Sequence, residues 1–185
     1  MHSEDPRARR TRHRLRSAAL ALAAEHEPAD ITMAAVARRA AVNRATVYLH
    51  YPDLDALVSD AMQDAVAEVA RAAALCPLDA PSDRAPEPLV ELFDHVGRHD
   101  TLYARMLGAQ GSARFVAGLR ERLADALVER FRGGSRPMGF AEVPLDVHAA
   151  YLAGALVGVI AHWVPADPRP PAPEVALTTW RLFRS

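Results

Sequence analysis

The stretch Asp30 to Tyr51, DITMAAVARRAAVNRATVYLHY, contains two helix starts in close succession. Thr32 can cap the first, its hydroxyl accepting from an orphan amide of the opening turn, while Ile31 before it packs on Val36 as a hydrophobic staple. Asn43 repeats the arrangement, with Val42 before the cap and Val47 four residues after it. Ala40, Ala41 and Val42 must then turn the chain tightly between two short helices. Val36, Ala37, Ala40, Val42, Val47 and Tyr51 fall on their inner sides. Arg44, Ala45 and Thr46 are left facing outward near the start of the second helix, with Tyr48, Leu49 and His50 one turn later.

A short helix presented in this way has the form of a helix-turn-helix reading element, whose leading side chains reach base edges when it lies in a major groove. Arginine at position 44 can bind guanine bidentately, and threonine can offer a base its hydroxyl or its methyl. Thr32, Thr46, Tyr48 and His50 can instead hold phosphates, which fixes register without reading sequence, and helix N-termini favour phosphate as well. On spacing alone a plain helical hairpin with no DNA role stays open.

Upstream, Pro6 to Glu25 reads as a helix with Leu15, Ala18, Ala19 and Leu22 on one face to cover the pair. Arginines fill the rest of its first half. Through Tyr51 the chain holds nine arginines against five acids, and after it 13 arginines against 18 acids. A basic head on an acidic body lets one end approach a polyanion while the remainder avoids it. The balanced total (Lys+Arg 22, Asp+Glu 23) hides this. The absence of lysine carries no functional weight.

Downstream, Leu54, Leu57, Val58, Ala61, Met62, Ala65 and Val69 mark a longer helix after Pro52, expected to link a head ending at Tyr51 to a body over residues 52–185. Proline and glycine gather in Cys76 to Pro88, Gly133 to Pro144 and Pro165 to Pro173, which are the loops. Between them Leu89, Leu92, Phe93 and Val96 form one helical stripe, and Phe115, Leu119, Leu123, Leu127 and Phe131 another. No run alternates with period two, so the fold is all-α. Val147 to Val164 is apolar enough to raise a membrane span, yet it carries His148 and His162 and stops at Pro165. A buried helix at a subunit interface is the better reading. Its small residues Ala150, Gly154 and Gly158, with His162 beyond them, form the candidate seam of a homodimer.

The run AVNRATVYLHYPDLDAL resembles the end of the TetR-family head. Val42, Thr46, Tyr48, His50 and Leu57 match that pattern outright, and Tyr51 is a conservative aromatic. Ala41 stands at the usual glycine, Asn43 at the usual serine cap, Ala45 at a second glycine and Asp55 at a glutamate. Leu54 replaces a commonly phosphate-binding lysine, a loss that the arginine-rich arm before Leu15 would compensate. The resemblance covers the first quarter to third of the chain specifically. It implies a dimeric repressor on a palindromic operator of double-stranded DNA, released when a small molecule enters the helical body. A cytoplasmic location is expected from the single cysteine and from an N-terminus that does not read as a signal peptide.

Phe93, Tyr103, Met106, Phe115, Tyr151 and Trp163 are available to line such a cavity, or simply to fill a core. His95 and His99, four apart, could share a metal, but no third ligand is evident, so no metal or cofactor is expected. His148 and His162 bracket the small-residue helix and could hydrogen-bond across an interface. Cys76, the single cysteine, has no disulfide partner within the chain and could serve as a redox sensor. The alternatives are a helical scaffold without DNA binding, which needs neither basic head nor paired caps, and an enzyme. For the enzyme there is no phosphate-cradling glycine loop, nucleophile elbow or metal pair with a general base.

Overall fold

A computed structural model describes residues 6–26, 31–77, 80–109, 111–134, 140 and 142–184. Among the described residues there are helices and no strands, as α1 (Pro6–Glu25), α2 (Met33–Arg39), α3 (Arg44–His50), α4 (Leu54–Ala61), α5 (Gln63–Leu75), α6 (Glu87–Arg98), α7 (Asp100–Leu107), α8 (Ala113–Arg132), α9 (Leu145–Trp163) and α10 (Ala172–Arg184). The chain divides into two compact units, Met1–Gln63 and Asp64–Ser185.

In the first unit α1 buries Leu15, Ala18, Ala19, Leu22 and Ala23, the stripe its spacing predicts. It packs on α2 and α4, and α2 packs on α3. Each short helix is started by a side chain that takes up an orphan amide. Thr32 Oγ1 accepts from Ala35 N–H at 3.1 Å, and Asn43 Oδ1 from Ala45 N–H at 2.9 Å. Asp53 Oδ1 accepts from Ala56 N–H at 2.7 Å, so Asp53 opens α4 just after Pro52. The staple residues Ile31, Val36 and Val47 are buried, while Val42 is half-buried. Because α4 packs on α1, and Tyr51 Oη donates to Asp60 within α4, this unit runs past Tyr51 through Gln63.

The long helix expected after Pro52 is two helices, interrupted at Met62, whose φ of −88° and ψ of 2° leave the α region. Buried pairs continue across the interruption at Leu57 and Val58, Ala61 and Met62, and Ala65 and Val66. A four-residue repeat of buried side chains therefore conceals a one-residue break in the backbone.

In the second unit α8 lies along α9, α10 packs on α6 and α9, and α7 touches α6, α8 and α9. Phe93 meets Trp163 edge-on at 5.3 Å between centroids, and Tyr103 meets Phe115 at 6.3 Å. Leu127, Phe131, Ala149 and Leu152 form a further cluster. Both tryptophans spend their N–H on loop carbonyls, Trp163 on Pro170 and Trp180 on Pro81, each at 2.8 Å. The described parts of the three proline- and glycine-rich segments are loops, except that α6 begins at Glu87 inside the first and α10 at Ala172 inside the last. α9 is long and apolar enough to cross a membrane by length and composition alone, with 39% of its most apolar window buried.

Candidate nucleic-acid interface

The turn between α2 and α3 is closed by its own backbone. Ala41 N–H donates to Arg38 O at 3.1 Å and Val42 N–H to Ala37 O at 3.0 Å. This is the paired pattern of a Schellman helix end, which needs a left-handed residue just past the cap. That residue is Ala41, at φ 49°, where glycine would be unstrained. A third reinforcement comes from α1: Arg14 Nη2 donates to Ala40 O and, at 3.0 Å, to Ala41 O. One arginine of the arm thus braces the turn itself, a role invisible in the sequence because the partners lie more than two dozen positions away.

On α3, Val47 is fully buried and sets the orientation of everything else. At about 100° per residue, Ala45 and Leu49 point almost directly away from Val47. Leu49 is 84% exposed, the most exposed large apolar side chain among the described residues. Arg44 and Tyr48 flank this crest on one side, both exposed, and Thr46 and His50 on the other, both half-buried. The Arg44 guanidinium lies over the Tyr48 ring at 5.7 Å, and its Nη2 donates to Tyr48 Oη at 3.4 Å. Thr32 and Asn43 use only oxygen lone pairs in capping, so the Thr32 hydroxyl proton and the Asn43 amide protons keep donor capacity toward solvent.

α3 contains no acidic residue. Three acids of this unit are engaged internally. Glu25 pairs bidentately with Arg39, its second contact at 2.6 Å, and that hydrogen bond holds its carboxyl below the usual range. Asp53 caps α4, and Asp60 accepts from Tyr51. Burial, followed by this bond to Asp60, pushes the Tyr51 hydroxyl well above the ordinary tyrosine value. Arg12 and Arg16 lie close enough to Tyr51 to oppose that shift. The usual lysine position holds Leu54, half-buried in the first turn of α4.

In the second unit Phe93, Tyr103, Met106, Phe115 and Trp163 are all interior, whereas Tyr151 is 62% exposed on the open side of α9 and cannot line an interior cavity of its own chain. The Tyr103 hydroxyl is buried without a hydrogen-bond partner. Ala150, Gly158 and His162 are exposed and Gly154 half-buried, alongside exposed Val147 and Tyr151. A Cβ added at Gly154 or Gly158 would meet nothing within 4 Å. His148 is not on this face: it is buried and stacks on Phe131 at 5.1 Å and Phe140 at 4.4 Å.

The Cys76 thiol is buried, which pushes its pKa up to about 12 and removes the thiolate a redox sensor needs. His95 and His99 lie with rings 4.7 Å apart. Among the described residues no three His, Cys, Asp or Glu side chains gather as a metal-ligand set.

Residues 15–61 match the family described as bacterial regulatory proteins, tetR family. No curated protein matches the chain by sequence. Among solved structures, a TetR transcriptional regulator from Rhodococcus sp. RHA1 superposes with TM-score 0.67 at 24% identity, covering 95% of this chain and 94% of its own. A tetR-family transcriptional regulator from Streptomyces coelicolor gives 0.62 at 19%, covering 93% and 80%. RolR, in complex with its ligand resorcinol, gives 0.61 at 22%, covering 97% and 90%. With its capped helix pair inside the matched segment and these folds over nearly its full length, the chain carries a helix-turn-helix head that matches the tetR family of bacterial regulatory proteins and shares the all-helical fold of these regulators.

Proposed function

We propose that the protein is a cytoplasmic, homodimeric repressor that binds a palindromic operator through α3 and is released by a small molecule held in the helical body. One observation carries this reading: α3 buries only Val47 and turns Arg44, Ala45, Tyr48 and Leu49 outward from a doubly capped, braced turn. A helix so presented fits the major groove, and two copies related by a dyad meet two half-sites about one helical turn apart. The open face of α9 supplies the dyad. Beside it α9 and α10 enclose a largely apolar groove of about 510 Å³ that a second copy would fill.

The unpartnered Tyr103 hydroxyl supports effector binding, because a small molecule that pairs it relieves a buried polar group and so favours one state of the body over another. RolR, of the same fold, takes a small phenol. The reading assigns no catalysis.

Sequencing the DNA fragments retained by purified protein should yield one inverted repeat. Affinity for it should fall steeply with salt, as counterions released by arginine contacts are restored. Arg44→Ala should weaken the repeat more than random DNA. Retention of no fragment even in dilute buffer would remove the assignment.

A further inference from the structure

The outermost ridge of α3 is apolar. Ala45 and Leu49 stand one turn apart, farthest from the buried Val47, and Leu49 exposes 84% of its surface on a head that is otherwise rich in arginine. An arginine-bearing flank is expected of a surface that meets phosphates and guanine edges. A leucine at the summit is not, because bringing it against polar base edges would strip water from those groups without replacing their hydrogen bonds. In the major groove one exposed base group is itself apolar, the 5-methyl of thymine.

Resting on the operator-binding reading above, we infer that Leu49, seated beside Ala45, is a specificity residue that recognises the 5-methyl group of a thymine in each half-site. Charge complementarity favours duplex DNA over a protein as the occupant of this ridge. α3 has no acid, Arg44 stands on its flank held by Tyr48, and Glu25, Asp53 and Asp60 are each bound within the head. The positioning of Arg44 over the Tyr48 ring also keeps its guanidinium to one side of the summit, so the leucine can approach a base without displacing it.

The test changes the DNA and leaves the protein intact. Once the bound repeat is known, each thymine is replaced in turn by deoxyuridine, which lacks only the methyl group, and binding of the full-length protein is followed by fluorescence anisotropy. Burial of one methyl against a leucine corresponds to about fourfold in affinity, hence roughly 15-fold when both half-sites are changed. One symmetry-related thymine pair should show this loss with the wild type, and Leu49→Ala should bind the thymine and uracil duplexes alike. Leu49 is too exposed for this truncation to disturb folding.

If every uracil duplex binds as tightly as its thymine parent, or if Leu49→Ala keeps the full discrimination, methyl recognition by Leu49 is wrong while operator binding stands. If the wild type retains no DNA at all, both readings fall together.

Discussion

Replacing Ala41 by glycine isolates the strain in the reading head. Ala41 sits at φ 49° because the Schellman end of α2 demands a left-handed residue there, with Ala41 and Val42 donating back to Arg38 and Ala37. For an L-residue that conformation costs roughly 1–2 kcal/mol. Glycine removes the cost but adds about 0.4–1 kcal/mol of backbone entropy to be lost on folding. The difference leaves Ala41→Gly more stable by roughly 0.5–1 kcal/mol, which for a unit of this size is a midpoint shift of about 3–6 °C.

Both tryptophans, Trp163 and Trp180, lie in the second unit, so their fluorescence does not report on the head. The appropriate assay is amide hydrogen exchange, followed by mass spectrometry, of peptides spanning α2 and α3 in the full-length protein. Ala41→Gly should slow exchange there, and Ala41→Val, β-branched in the same conformation, should speed it. If glycine is neutral or destabilising and valine is no worse than alanine, the turn does not hold a strained residue and the argument from its hydrogen bonds fails.

Tyr103→Phe should raise stability by about 1 kcal/mol in thermal melts, since it removes a buried hydroxyl that has no partner, and a loss of stability would show that the hydroxyl is satisfied. Gly158→Leu should leave the protomer folded, with about 1 kcal/mol gained in helix propensity, yet weaken self-association in light scattering; an unchanged dimer would exclude that side of α9 as the seam. His95 is held below its ordinary value of 6.5 by burial first, with His99 and Arg98 adding to it. The unfolded chain therefore takes up the proton before the native one does. Stability should be level above 6.5 and decline as pH falls from there toward the native value. His95→Gln should flatten that decline in denaturant titrations, and an unchanged slope would assign it to other groups.

The head was legible because its signals are local. A cap and the amide it accepts from lie two or three residues apart, and Thr32 and Asn43 make those bonds. Leu15, Ala18, Ala19 and Leu22 likewise sit on one helix, where spacing alone sets a shared face. What escaped was tertiary or confined to a single dihedral. Arg14 reaches carbonyls of a distant turn, and Met62 breaks a helix without breaking the apolar pattern. α10 opens among prolines, and its mid-helix Thr178 and Thr179 spend their hydroxyls on the carbonyls of Glu174 and Val175. A propensity reading counts such prolines and threonines against a helix, until packing on α6 overrides it.

α9 shows the limit most clearly. A helix apolar on nearly every side gives no periodicity by which to tell its inner face from its outer. Hence Tyr151 and His148 exchange the places expected of them: the tyrosine lies open, and the histidine is stacked among aromatics. The same ambiguity made the segment resemble a membrane span. Its own chain buries His148, Ala149, Leu152, Ala153, Leu156, Val157 and Ile160 but leaves Val147, Ala150, Tyr151 and Gly158 uncovered. A helix that meets neighbours on one side alone would carry polar residues on the other. Apolar and small residues on both sides imply a second surface that completes the burial, and on the proposed reading that surface is α9 of another copy. Gly158→Leu decides this, because the Cβ it adds meets nothing within 4 Å in the protomer.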